Sequence, residues 1–265
     1  MELKGKVVVI TGGAHGIGAA LARAAKARGA GGIAICDLEA QAAQQVADEV
    51  GGIAYGLDVR DEGAIAAMID DVETRLGPVD LYISNAGVGF TDAPDWTAAG
   101  TSNENWQTAW EVNQMAHVYA ARKLLPGWKA RGEGYFLITA SAAGLLSQIG
   151  DAAYSTTKHA NIGYAESMAI THGDDGIKVS VLCPQGVRTR MLDHIDDRSV
   201  GADGIMSAKD VAEVTLDGVA AEEFLITPHA TVRTYMQHKV SDYGRWLGGM
   251  RKFRRFLMAD KDTPI

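Results

Sequence analysis

Thr11-Gly12-Gly13-Ala14-His15-Gly16-Ile17-Gly18 follows a short apolar strand, residues 6–11, and runs into Ala19-Ala20-Leu21 at the opening of a helix. A glycine-rich loop could be no more than a turn. At the first strand-to-helix junction it has a second use. Glycine lets backbone approach a phosphate closely, and the helix start offers unbonded N–H groups and a favourable dipole. Gly12, Gly16 and Gly18 are separated by three residues and then one, so the loop is longer than the G-x-G-x-x-G dinucleotide fingerprint. His15 and Ile17 fall inside it and are expected near the phosphates, with no catalytic part for His15.

Outward from this loop, short apolar runs alternate with longer segments of helical periodicity. Strands are expected at residues 33–37, 53–57, 79–84, 135–140, 179–183 and 224–227, each rich in β-branched and apolar side chains. Strands buried on both faces and separated by helices describe a parallel sheet covered on each side by right-handed βαβ units. The expected fold is therefore α/β: a doubly wound (Rossmann) parallel sheet of seven strands in a single domain, residues 1–265. Residues 104–131 and 152–172 read as the largest helices, and they could pair across a subunit interface in a homodimer or homotetramer. Periodicity fades over residues 191–206, which carry Asp193, Asp196, Asp197, Gly201 and Gly204; this reads as a loop able to cover a substrate. Residues 228–265 form a C-terminal extension.

Composition narrows the function classes. With 47% hydrophobic and 22% charged residues, the chain is an ordinary globular one. Its formal net charge of -8 supplies no overall field for nucleic acid. A local basic run, Arg245, Arg251, Lys252, Arg254 and Arg255, is interleaved with Trp246, Phe253 and Phe256. It could touch an anionic surface, but is better read as a segment packing its aromatics on the protein or a neighbouring subunit. Cys36 and Cys183, each within an apolar run, read as small core residues of a reducing compartment. No apolar run approaches the roughly 18 residues of a membrane span, and the first residues lack a signal-peptide pattern, so the cytoplasm is the expected location. No metal site is expected.

Asp37 ends the second strand about 20 residues after the glycines, where a carboxylate can accept hydrogen bonds from an adenosine ribose and would repel a 2′-phosphate. No Arg or Lys lies in the glycine loop or immediately after Asp37, which favours NAD over NADP. The alternative for Asp37 is a cap for the helix from Glu39 onward.

Tyr154 and Lys158 stand four residues apart at the start of a helix, on one face. Alone, that spacing describes many solvated surfaces. Ser141 follows the preceding strand and Asn85 ends the fourth, so these candidates meet at one sheet edge, where open parallel sheets bind ligands. Taken together, Thr11-Gly12-x3-Gly16-x-Gly18, Asn85-Ala86-Gly87, Asn113, Ser141, Tyr154-x3-Lys158 and Pro184-x-Gly186 resemble the short-chain dehydrogenase/reductase family, over roughly residues 6–189.

The resemblance implies a hydride exchanged between nicotinamide and an alcohol or ketone, with Tyr154 transferring the proton. It gives Ser141 the substrate oxygen, Lys158 the nicotinamide ribose, and Asn113 a water linking Lys158 to solvent. A phenol ordinarily titrates near about 10, and lowering it by about three units takes roughly 4 kcal/mol. An ammonium about 4 Å away supplies on the order of 4 kcal/mol, so Lys158 is sufficient in scale to lower it, with the oxidised nicotinamide's charge adding to it. Asp58-Val59 resembles the family's adenine-contacting pair, or is simply a strand end and helix cap. In Pro184-Gln185-Gly186-Val187-Arg188-Thr189, Gln185 stands where the family's commonest residue is glycine; Val187 would meet the nicotinamide carboxamide through its backbone and Thr189 would bind nearby. Gln185 either reshapes that pocket or faces solvent.

An NADPH-dependent carbonyl reductase, or a non-catalytic NAD(H)-binding regulator, would share this fold. Trp96, Leu145, Leu146, Ile149, Met191, Leu192, Ile195 and Trp246 would suit an apolar secondary alcohol, or are ordinary packing.

Overall fold

The computed structural model describes residues 1–92, 95–192 and 204–259. The strands β1 (Val7–Thr11), β2 (Gly32–Asp37), β3 (Ile53–Gly56) and β4 (Leu81–Ser84) are separated by the helices α1 (Gly16–Ala27), α2 (Ala40–Val50) and α3 (Glu62–Leu76). After β4 come α4 (Asn103–Trp110), a π turn (Glu111–Met115), α5 (Ala116–Arg131), β5 (Gly134–Thr139), α6 (Ala152–His172) and β6 (Ile177–Leu182). The short strands β7 (Val187–Arg188) and β8 (Met206–Ser207) precede α7 (Ala208–Ala220), β9 (Leu225–Ile226), α8 (Thr231–Ser241) and α9 (Tyr243–Ala259).

Seven strands form one parallel sheet in the order β3-β2-β1-β4-β5-β6-β9, as the alternation of elements predicts. Alternate side chains of each strand face opposite layers. Val8, Ile10, Ile33 and Ile35 pack with Leu21, Val46 and Leu216 of α1, α2 and α7. Val7, Val9, Tyr82 and Phe136 pack with Ile65, Ile69, Leu124 and Trp128 of α3 and α5. Because β1 pairs with β2 on one side and β4 on the other, the strand order reverses there, and a crevice opens at the carboxyl ends of β1 and β4.

Residues 104–131 form one continuous helical run, as expected, with the π turn set inside it between α4 and α5. The cause is visible at Asn113, in the middle of that turn, whose side chain crosses to residue 88 of the loop after β4. Cys183, expected inside a strand, lies one residue beyond β6, although both cysteines are buried and unbridged. Most of the expected covering loop, residues 193–203, lies outside the described residues. Its base is closed by a two-residue ladder, Val187 opposite Met206 and Arg188 opposite Ser207, that periodicity could not reveal.

Candidate active site

Thr11 ends β1, and its hydroxyl accepts the backbone N–H groups of Asn85 (3.0 Å) and Ala86 (3.2 Å). Asn85 Nδ2 donates in return to the carbonyls of Thr11 and Gly12, both at 3.1 Å. These bonds hold the ends of β1 and β4 together at the crevice floor. Gly12 has φ +60°, and a Cβ there would stand 2.8 Å from Ala86 Cα. α1 starts at Gly16 with extended His15 before it, no side-chain cap bond and no acidic residue in its first turn. Its leading N–H groups therefore suit an anion, and the loop fits a pyrophosphate.

Asp37 braces the same loop. Its Oδ2 accepts the Ala14 N–H at 3.0 Å and its Oδ1 the Glu39 N–H at 3.1 Å, so each oxygen keeps a lone pair for a ribose diol. The N-cap position of α2 is Glu39, not Asp37. The expectation that no cation lies near is corrected: Arg190 Nη1 reaches His15 Nε2 at 3.0 Å and Glu39 Oε1 at 3.3 Å. It arrives from more than 150 residues downstream, which no local reading can detect. Asp58 does not cap α3 either. Asp61 does, accepting the Ala64 N–H, while the Arg60 guanidinium takes the Asp58 carboxylate and holds it below the usual carboxylate range. Val59 is buried beside it.

Asp151 starts α6 by accepting the Tyr154 N–H at 2.8 Å, and its other oxygen accepts the Phe90 N–H at 2.8 Å. Burial pushes the Asp151 carboxyl up to about 6. This cap sets Tyr154 in the first turn, where its phenol lies near enough to Ser141 for that side chain to lower its titration. Ser141 Oγ accepts the Ala143 N–H at 3.1 Å, at the start of a 3-10 turn after β5. One helical turn beyond Tyr154, Lys158 Nζ donates to the Thr139 carbonyl at 2.9 Å and lies 5.4 Å from the Tyr154 ring centroid. A Cβ on Gly87 would stand 3.3 Å from that nitrogen, so Asn85-Ala86-Gly87 lines the same wall.

Asn113 joins the cluster through bonds to the loop after β4 and to α6. Its Oδ1 accepts the Val88 N–H at 2.8 Å, and its Nδ2 donates to the Val88 carbonyl (2.9 Å) and Thr157 Oγ1 (3.0 Å). With both amide donors engaged by protein, the side chain clamps residue 88 to α6.

In the cofactor-free protein burial pushes the Tyr154 phenol up to about 12, with Ser141 lowering it, and pulls the Lys158 ammonium down to about 8. Burial, with Lys158's charge second, holds the neighbouring buried His117 down to about 3.

The segment after β6 closes the site. The Pro184 carbonyl accepts the Ala142 N–H at 2.8 Å, next to Ser141. Thr189 packs on the glycine loop, its methyl 2.9 Å from where a Gly16 Cβ would be. Val187 is buried, and Met206 N–H donates to the Gly186 carbonyl at 3.0 Å. Gln185 is half-buried and its Oε1 is buried, without a hydrogen-bond partner among the described residues.

The C-terminal extension reaches the site through Lys239, which the sequence did not single out. Its buried ammonium donates to the carbonyls of Leu145 (2.7 Å) and Leu146 (3.0 Å), lies 3.3 Å from His159 Nε2, and sits 5.0 Å over the Trp246 ring. Arg254 anchors α9 to the Asp95 carbonyl at 2.8 Å. Phe256 stays 57% exposed on its own chain. Lys239→Met removes the donors of two charge-assisted bonds while keeping the stem. It is expected to lower stability by about 1–3 kcal/mol in chemical denaturation and to raise substrate KM, with cofactor affinity unchanged.

The family model described as short chain dehydrogenase matches residues 6–199. The chain belongs to the short-chain dehydrogenase/reductase family. It is 32% identical over 253 residues to 1-deoxy-11-beta-hydroxypentalenate dehydrogenase of Streptomyces exfoliatus, covering 92% of this chain and 90% of that one. It is 32% identical over 194 residues to meso-2,3-butanediol dehydrogenase of Serratia marcescens, covering 72% and 75%. Among solved structures, a short-chain dehydrogenase/reductase from Burkholderia phymatum in complex with NAD superposes with a TM-score of 0.81, at 25% identity, covering 92% of this chain and 95% of that one. Family membership makes this chain an oxidoreductase with a nucleotide cofactor. Among the described residues no helix is long and apolar enough to cross a membrane.

Proposed function

We propose that this protein is an NAD-dependent oxidoreductase that moves a hydride between nicotinamide and the carbon of a small, apolar secondary alcohol or ketone. The observation that carries the reading is the convergence of Ser141, Tyr154 and Lys158 on one wall of the crevice whose floor is the glycine loop. When bound, the oxidised cofactor accepts the hydride and brings a positive charge to the ring. Tyr154, as phenolate, takes the alcohol proton; in the reverse direction the neutral phenol gives it back. Ser141 holds the substrate oxygen as its charge develops. Lys158 holds the nicotinamide ribose and stabilises the phenolate. Gly12, His15, Gly16, Ile17 and Gly18 receive the pyrophosphate, Asp37 the ribose, and Asp58 and Val59 the adenine. Asn85, Ala86, Gly87, Pro184, Val187 and Thr189 line the rest of the cleft.

Leu145, Leu146, Ile149, Trp96, Met191, Leu192 and Trp246 support an apolar substrate; Ile195 lies outside the described residues. That the two relatives are named as dehydrogenases of hydroxylated compounds agrees with this. The reading includes a cytoplasmic homodimer or homotetramer paired through the long helices, where Trp110 and Ile170 are exposed.

The choice of NAD rests on Asp37, with the NAD held by the Burkholderia phymatum structure as support. A specific observation favours NADP instead: Arg190, beside Glu39, is a cation within reach of that end. Purified protein with NAD or NADP and a panel of secondary alcohols, followed by reduced-cofactor absorbance, separates the two. Asp37→Ala is expected to raise the NAD KM by about tenfold and to narrow the gap to NADP. Arg190→Ala is expected to leave NAD turnover near parent level. Preference of the parent for NADP, lost in Arg190→Ala, would establish the second reading.

A further inference from the structure

Both ring nitrogens of His229 are engaged by consecutive residues of the segment after β6. The Gln185 N–H points to Nδ1 at 3.2 Å, and Nε2 lies 3.1 Å from the Gly186 carbonyl. An amide N–H can only donate and a carbonyl can only accept, so the ring is neutral, with its hydrogen on Nε2. His229 is 5% exposed and follows β9, so it is seated by the edge of the sheet rather than by a surface loop. The Gly186 carbonyl accepts from two directions, the His229 ring and the Met206 N–H, which fixes the plane of the peptide leading into Val187. Since β8 pairs on that side, the N–H and C=O of Val187 point away from β8, in a segment that meets the site at both ends, Pro184 at Ala142 and Thr189 at Gly16.

We propose that His229 is a positioning residue for the nicotinamide end of the cofactor: its ring locks residues 185–186 so that the Val187 backbone stands ready for the carboxamide. The inference rests on the reading of the crevice as a nicotinamide-cofactor site. Here Gln185 takes the commonest glycine's place, and a side-chain-bearing residue is held in register by a ring clamp on its own N–H. Adenosine and pyrophosphate contacts lie at the far end, on β1, β2 and α1, and do not involve His229.

That separation supplies the test. Dissociation constants for NAD and for ADP-ribose, which lacks the nicotinamide, are measured by calorimetry for the parent, His229→Ala and His229→Asn. If the parent binds NADP instead, NADP and 2′-phospho-ADP-ribose are used. The expected result for His229→Ala is an affinity for the dinucleotide weakened by about tenfold, ADP-ribose binding unchanged within about twofold, and a lower kcat at unchanged substrate KM. Asn places an acceptor near the Nδ1 position, so His229→Asn should recover part of the loss. Equal weakening of both ligands, or no change in either, would overturn the proposal. If His229→Ala melts too low to titrate, His229→Asn decides: dinucleotide and ADP-ribose affinities that move together count against it. A parent that binds neither dinucleotide would instead defeat the cofactor reading itself.

Discussion

Tyr154→Phe will keep the fold and the cofactor affinity of the parent while lowering turnover by about 10²–10⁴-fold. The ring stays under the Lys158 ammonium, and the Asp151 cap bonds only the backbone of residue 154, so neither support of α6 is lost. What disappears is the one hydroxyl that lies near Ser141 and can exchange a proton with the substrate oxygen. The pH dependence follows in sign. Burial holds the phenol at about 12 in the cofactor-free protein, so at neutral pH it is protonated and prepared to act as an acid. Alcohol oxidation needs the phenolate and should climb as pH rises from 7 to 10; ketone reduction should not. Bringing such a phenol from about 12 to neutral pH takes roughly 7 kcal/mol, more than the approximately 4 kcal/mol of an ammonium 4 Å away. The cofactor-free protein is therefore a poor base, and the climb belongs to the loaded enzyme. Stopped-flow cofactor binding with steady-state rates at several pH values checks both parts. Turnover by the phenylalanine variant at the parent's rate would defeat the assignment.

The sheet was legible because a parallel strand buried on both faces has a continuous apolar run, and Val7 to Thr11 is one. The catalytic residues were legible because their spacing follows from one helix and two strand ends. The helix over 152–172 also matches, since Asp151 supplies a cap and His172 precedes Gly173. What the sequence hid depends on contacts between distant segments. The π turn at Asn113 exists to reach Val88, and a hydrophobic period continues across it unbroken. Arg190 meets His15 and Glu39 only once β1, β2 and the segment after β6 share an edge. His229 and Lys239 lie in the C-terminal extension, where no motif singled them out, yet both are buried against backbone of the site. The burial that raises the phenol in the cofactor-free protein was hidden for a related reason: spacing gives the distance along a helix, but not the burial around it.

Gly18→Ala will unfold the cofactor loop. A Cβ at Gly18 would lie 2.1 Å from the Gly12 carbonyl oxygen and 2.7 Å from Asn85 Nδ2. The first neighbour is backbone held by Asn85, and Asn85 is in turn held by Thr11, so neither can withdraw without parting the ends of β1 and β4. Overpacking usually lowers stability by about 1–3 kcal/mol; against backbone with no room on either side, about 3 kcal/mol or more is expected. Gly163, exposed on α6 with nothing within 4 Å of its would-be Cβ, is the matched control. Gly163→Ala should raise stability by about 0.5–1 kcal/mol, because alanine loses less chain entropy in a helix. Denaturant melts of the two variants therefore move in opposite directions, and only Gly18→Ala loses cofactor binding. A Gly18→Ala protein that melts with the parent and still binds the dinucleotide would mean that the close approach of α1 to the loop is not required. The same result would remove the reason for placing a pyrophosphate there, since that closeness brings the helix start over the crevice floor.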